Sequence, residues 1–140
     1  MQEVLKGILS TIATTLLFIF GGFDIALQSL LVVIILDYIT GISKAYITKE
    51  LSSEIGFKGI LKKLLCLVVV AVATIVDRAC GDSGMIRTLI IYYLVANEGL
   101  SILENLASMD ILVPDILKSK LKQLRGDEEK GEKWIILELI

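Results

Sequence analysis

The segment Ile25–Ile47, with the sequence IALQSLLVVIILDYITGISKAYI, decides the fold of this chain. Its centre, Leu30–Leu36, is purely aliphatic, and a helix of about 20 apolar residues is long enough to cross a hydrocarbon layer of about 30 Å. We therefore predict an all-α integral membrane protein in which residues 1–107 form one membrane domain with four transmembrane helices. The other three apolar segments lie at approximately residues 4–20, 60–76 and 86–106.

The composition argues against several classes of function. The 140 residues are 55% hydrophobic and include no histidine, which is the commonest metal ligand and general base. We therefore predict no enzyme, no cofactor and no metal site. Cys66 lies in an apolar run and Cys80 in a loop, so the two cysteines do not indicate a disulfide framework. A net charge of -2 argues against nucleic acid as a partner.

Lysine and arginine residues indicate the orientation, because cytoplasmic loops next to membrane spans are enriched in them. The first connection has none, whereas the second connection and the C-terminal segment are basic. We predict that both termini are cytoplasmic and that the first span is retained rather than cleaved as a signal peptide. If the fourth segment lay in the interface, the chain would have three spans and an external C-terminus. The predicted basic residues at the membrane surface are Lys44, Lys49, Lys58, Lys62, Lys63, Lys118, Lys122 and Arg125.

Residues 108–125 have the pattern of an amphipathic helix. Leu117, Leu121 and Leu124 share one face of such a helix, and the basic side chains lie elsewhere. Two placements stay open: the helix rests on anionic lipid of the inner leaflet, or it packs on its own membrane domain. Residues 126–140 are predicted to be a charged linker and an apolar tail, in which Trp134 suits an interfacial anchor.

Small and hydroxyl-bearing residues mark helix-packing faces. In a bilayer such residues allow helix backbones to approach closely and to form hydrogen bonds between helices. The first span carries a stripe of them at helical spacing, and the second span carries a shorter one. The sequence leaves open whether these faces pack within one subunit or between subunits. The predicted packing residues are Gly7, Ser10, Thr11, Thr14, Gly21, Gly41 and Ala45.

Polar residues inside the spans are the candidate functional residues, because an ionised side chain in a bilayer is costly without a partner or water. Asp37 either pairs near the inner interface with a lysine such as Lys62, or serves a pore or relay. The fourth span has one hydrophilic side, which is the wall of a water-filled pore, a polar contact between subunits, or the exposed side of an interfacial helix. Its members are Asn97, Ser101, Glu104 and Ser108, with Glu98 and Asn105 on the adjoining flank.

Four motifs in this order resemble the phage lysis and toxin-secretion holins of Gram-positive bacteria and their phages, the group that contains the clostridial toxin-release holin. The resemblance covers approximately residues 30–124. Its motifs are Leu36–Gly41 (LDYITG) followed by Ala45, Ser52–Ile60 (SSEIGFKGI) leading into Lys62 and Lys63, Asn97–Asn105 (NEGLSILEN), and Pro114 with the amphipathic stretch behind it.

The resemblance implies a protein that accumulates in the host cytoplasmic membrane, forms homo-oligomers, and opens lesions at a set time. The lesions collapse the membrane potential and let an endolysin or a toxin cross, so the implied partners are membrane lipid, further copies of the chain, and that cargo. On this hypothesis Asp37, Glu98 and Glu104 face a lumen or protomer contacts. Two other classes stay open: a small proton- or ion-coupled transporter that uses Asp37, and a membrane scaffold subunit.

Overall fold

The computed structural model describes residues 1–126, and these form five helices. The helices are α1 (Gln2–Phe20), α2 (Ile25–Ile47), α3 (Ser53–Ala79), α4 (Met85–Ser108) and α5 (Asp115–Arg125). The first four are long and apolar enough to cross a membrane. The prediction of an all-α fold with four candidate spans is therefore confirmed. The predicted linker and tail beyond Gly126, including Trp134, lie outside the described residues.

The ends of the helices follow from local capping chemistry. The side chain of Asp24 accepts a hydrogen bond from the backbone N–H of Leu27 at the start of α2, and Ser52 caps α3 in the same way through Ile55. Because Ser52 supplies this cap, α3 begins at Ser53 and extends the apolar segment predicted from residue 60. At the end of α1, Gly21 adopts a left-handed conformation with φ of 76°, which favours glycine.

The apolar core lies between α2, α3 and α4. Leu30 of α2, Val70 of α3 and Ile91 of α4 are fully buried there. On the same seam, Gly59 of α3 lies close to Tyr38 of α2: a Cβ atom at residue 59 would stand 3.1 Å from the tyrosine ring. The three helices therefore form the packed part of the protomer, and α5 packs on the outside of α4.

Helix α1 is attached differently from the others, since none of its residues is buried and it packs mainly against α3. Most of the small-residue stripe predicted on this helix is exposed, and no atom lies within 4 Å of a Cβ placed on Gly7. The hydroxyl group of Thr11 donates to the carbonyl of Gly7 in its own helix at 2.9 Å. On α2, by contrast, Ala45 is buried and Gly41 lies next to Asn105 of α4.

Candidate functional site

Three charged side chains from three different helices meet in the interior of the protomer. The ammonium group of Lys63 on α3 donates to the carboxylates of both Asp37 on α2 and Glu98 on α4. Asp37 is 6% exposed and Glu98 is 4% exposed. One cation thus serves two buried carboxyl groups, and this charged triad contains two acidic groups and one basic group.

An amide and a hydroxyl group extend the triad along α2 and α4. The side-chain amide of Asn105 donates to Asp37 Oδ1 at 3.2 Å and to Thr40 Oγ1 at 3.1 Å. The thiol of Cys66 lies 3.7 Å from Glu98 Oε1. Within residues 1–126, every buried side-chain nitrogen and oxygen atom has a hydrogen-bond partner. The buried polar atoms of the site therefore satisfy one another through hydrogen bonds and ion pairs.

The cation of the site is Lys63 rather than its neighbour Lys62, the lysine that the sequence suggested as an example of a partner for Asp37. Consecutive residues of a helix point about 100° apart, so only one of the two can face α2 and α4. The Lys63 side chain is 18% exposed, whereas Lys62 is exposed. Lys63 thus departs from the predicted basic set at the membrane surface. Of that set, Lys49, Lys58, Lys62, Lys118 and Lys122 are exposed, and Lys44 and Arg125 are partly exposed.

The triad lies along one wall of an open cleft of about 580 Å³. The structure brings several of the predicted polar residues to this cleft: Asp37, Asn97, Glu98, Ser101 and Asn105 line it. Glu104 and Ser108 are exposed and lie outside it. Glu104 lines a second cleft together with Lys118 of α5. The predicted polar side of α4 is therefore divided between an inner part and an exposed part.

The triad lies well inside the length of the spans. At a rise of 1.5 Å per residue, Asp37 and Glu98 each stand about 20 Å from the first residue of their helix. Ionisable groups at such depth are costly and mark functional sites in membrane proteins. No group of three or more histidine, cysteine or acidic residues in the described part of the chain has the geometry to hold a metal ion.

A second polar site joins the α1–α2 turn to the start of α4, and sequence reasoning did not identify it. The guanidinium group of Arg87 donates to the Phe20 carbonyl at 2.6 Å, to the Gly22 carbonyl at 3.2 Å and to Asp24 Oδ2 at 2.8 Å. This contact holds the pKa of Asp24, outside the spans, below its ordinary value. The only sequence signal is the presence of opposite charges in two connections on the same predicted side of the membrane.

The same site also fixes both ends of the α3–α4 connection. The carboxylate of Asp77 on α3 accepts the backbone N–H groups of Ile86 and Arg87 at 3.1 and 2.6 Å. It thereby caps the first turn of α4, whose N–H groups have no partner within the helix. Nearby, Arg78 donates to the carbonyl of Phe18 at 2.5 Å and lies 4.0 Å from the centre of its ring. These arginines attach α1 to the rest of the protomer.

Helix α5 docks on α4 through a glycine. A Cβ atom at Gly99 would stand 3.1 Å from both methyl groups of Leu121, so the leucine fills the space that the missing side chain leaves. One turn later, Arg125 Nη1 donates to Asn97 Oδ1 at 3.3 Å. Of the two placements considered for the amphipathic helix, the structure shows packing on the membrane domain.

Four long apolar helices, three of which hold a charged triad, define a multi-pass helical membrane protein. Within that class the chain belongs to the bacteriophage holin family, whose sequence profile matches residues 14–126. The resemblance seen in the motifs is thereby confirmed. The family match includes the triad, the Arg87 site and α5.

A phage relative agrees with this assignment. A protein described as a probable holin, from Bacillus phage phi105, is 37% identical over 108 residues, which cover 76% of this chain and 80% of the relative. A 14.9 kDa Clostridium perfringens protein, described by its position in the nagH 3' region, is 52% identical over 122 residues, covering 86% of this chain and 91% of the relative. No solved structure matches the chain.

Proposed function

We propose that this member of the holin family oligomerises in the bacterial cytoplasmic membrane and opens lesions there, without catalysing a reaction. The observation that carries the proposal is the charged triad of Asp37, Lys63 and Glu98 inside helices that are long enough to span a bilayer. Such groups are costly in lipid and are kept where a polar pathway or a polar contact needs them. The phage relative described as a probable holin supports the same function.

Several copies are needed for a lesion that passes a protein. A cleft of about 580 Å³ is far too small for a folded enzyme, and the triad occupies it with internal ion pairs. A wide opening therefore has to form between protomers, with polar side chains moved towards water. Asn97, Ser101, Glu104 and Ser108 supply a polar side of α4, and lipid cannot satisfy such a side.

Helix α1 offers a surface on which copies can associate. It buries nothing within its own chain, and Gly7, Ser10, Thr11 and Thr14 are exposed along it. Small residues of this kind let helices approach closely in a bilayer. In this proposal α1 supplies contacts between protomers, and α4 supplies the polar side of the opening.

The lesions serve the passage of an endolysin or a toxin in this proposal. Both termini lie in the cytoplasm, so that the basic second connection and α5 face the anionic inner leaflet. The exposed residues Lys49, Lys58 and Lys118 contact lipid headgroups on that side. The partners are thus lipid, further copies of the chain and, functionally, the enzyme or toxin that is released.

The test is to induce this chain alone in a bacterium and to record membrane potential together with the release of fluorescent proteins of graded size. A delayed, abrupt collapse of the potential with release of folded proteins is the expected result. Selective, saturable ion flux without protein release would contradict the proposal in favour of a transporter. An unchanged potential despite good membrane expression would contradict it in favour of a scaffold subunit.

A substitution tests whether the exposed polar side of α4 takes part in lesion formation. Glu104→Leu removes a charge from that side, and we expect lesions to form at a different time or not at all. Glu54→Leu is the matched control, because Glu54 is also exposed but lies at the start of α3 in a surface ion pair with Lys58. Unchanged timing in Glu104→Leu would overturn the role given to this side of α4.

A further inference from the structure

The exposed surface of α4 changes character halfway along the helix. In the first half, up to Ala96, the large exposed side chains are apolar or aromatic: Met85, Leu89, Tyr92 and Tyr93. In the second half the exposed polar side chains are Glu104 and Ser108, whereas Asn97 and Ser101 line the cleft of the triad. Tyrosine is enriched where a membrane span meets the headgroups. The two tyrosines stand one turn before this change.

Helix α5 lies beside the second half of α4 and adds charge at the same level. Leu121 contacts Gly99 and Arg125 contacts Asn97, so α5 runs back along α4 as far as its midpoint. The exposed lysines of α5 are therefore level with the polar half of α4. They are Lys118, Lys120 and Lys122.

The apolar part of this edge is shorter than a bilayer. Residues 85–96 of α4 rise about 18 Å, whereas the hydrocarbon layer of a typical bilayer is about 30 Å thick. The difference of about 12 Å on the α4–α5 edge has to be met by thinner lipid or by headgroups and water that reach inward.

On the opposite side of the protomer the apolar surface is not shortened in this way. On α2 the residues that face away from α4 stay apolar and exposed on both sides of the level of the triad, as Ile35, Ile39 and Ile47 show. Asp37 contacts Asn105, so Ile39 stands level with the polar half of α4. The shortening is therefore confined to one edge.

We propose that the α4–α5 edge binds anionic phospholipid headgroups at the level of Asn97 and thins the bilayer on that one side of each protomer. The lysines of α5 complement the negative headgroups, and Ile116, Leu117 and Leu124, exposed on the same helix, enter the acyl boundary between them. This binding mode depends only on the structure of a single protomer. It requires that the protein lies in a membrane, but it does not require that lesions form.

The depth of labelled side chains tests this binding mode. The full chain, with Cys66→Ala and Cys80→Ser, receives one fluorescent label at Glu104, Ile39 or Ile35 through a single new cysteine. Glu104 is exposed on the α4–α5 edge, in the cleft that it shares with Lys118. The protein is placed in phosphatidylcholine–phosphatidylglycerol vesicles that carry nitroxide either at the headgroup or deep in the acyl chain. We expect headgroup nitroxide to quench the label at residue 104 severalfold more than deep nitroxide does, with the reverse at residues 39 and 35.

Equal, deep quenching at residues 104 and 39 would overturn the proposal, because α4 would then cross a bilayer of full thickness. Loss of lesion formation by the unlabelled chain, with this quenching pattern intact, would instead contradict only the proposed function. A second measurement uses Gly99→Leu, which displaces Leu121 and with it α5; the label at residue 104 should then move towards the deep nitroxide. Ala79→Leu, at an exposed position at the end of α3, is the control, and unchanged depth in Gly99→Leu would overturn the role of α5.

Discussion

Replacing Lys63 with methionine is expected to lower the free energy of unfolding by about 3–5 kcal/mol, because removing one partner of a buried ion pair leaves uncompensated charge. Here the loss leaves two carboxylates, Asp37 and Glu98, which are 6% and 4% exposed. Asp37→Asn should cost only about 1 kcal/mol, since the pair of Lys63 with Glu98 remains and the new amide oxygen still accepts from Asn105. For Lys63→Met we expect the upper part of the range of about 3–5 kcal/mol, because the variant leaves two neighbouring acidic groups without a cation.

The assay is unfolding of the purified chain in mixed micelles, with increasing SDS mole fraction and helix content followed by circular dichroism. Lys62→Met is the matched control, because Lys62 is the exposed neighbour of Lys63, and we expect it to stay within about 0.5 kcal/mol of the parent chain. Adding Asp37→Asn and Glu98→Gln to Lys63→Met should restore much of the loss, since no buried charge remains. Equal stability of Lys63→Met and Lys62→Met would refute this account of the triad.

Other contacts lead to three further predictions. Gly59→Val should destabilise the α2–α3 seam by about 1–3 kcal/mol by displacing Tyr38, while Gly7→Val, at an open position, should change SDS unfolding little. Arg87→Met should free α1, and spin-label distances between α1 and α3 should broaden; unchanged distances would contradict that attachment. Because Arg87 lowers the pKa of Asp24, their contact stabilises the fold above about pH 4 and is lost as the pH falls through the lower folded-state pKa. Asp24→Asn should remove the loss of stability that protonation of Asp24 causes during acid unfolding. An acid unfolding curve that is unchanged in Asp24→Asn would contradict this prediction.

The helices could be predicted from the sequence because their cause is local. Uninterrupted aliphatic runs such as Leu30–Leu36 have the length and composition of a span wherever they occur. Cap residues such as Ser52 then fix where a helix begins, and here the cap starts α3 well before its apolar part. Family membership could be predicted as well, since it rests on the order of short motifs along the chain.

The partners within the site could not be predicted, because they depend on the rotation and height of three separate helices. The sequence indicates that Asp37 needs a cation, but the lysine suggested for it, Lys62, is not the one that binds. The packing of α3 against α2 and α4 brings Lys63 to the carboxylate instead. The role of Arg87 could not be predicted for a similar reason. Two of its partners are the backbone carbonyl groups of Phe20 and Gly22, and a sequence does not show where a carbonyl group will point.

The order of the three charges along the chain has a consequence for biosynthesis. Asp37 leaves the ribosome 26 residues before Lys63, and Lys63 precedes Glu98 by 35 residues. At a synthesis rate of about 5–20 residues per second, Asp37 is synthesised about 1–5 s before Lys63, its partner in the ion pair. The arrival of α3 then completes a neutral pair with α2. Glu98, the second carboxylate of the triad, therefore joins this pair only when α4 follows α3 along the chain.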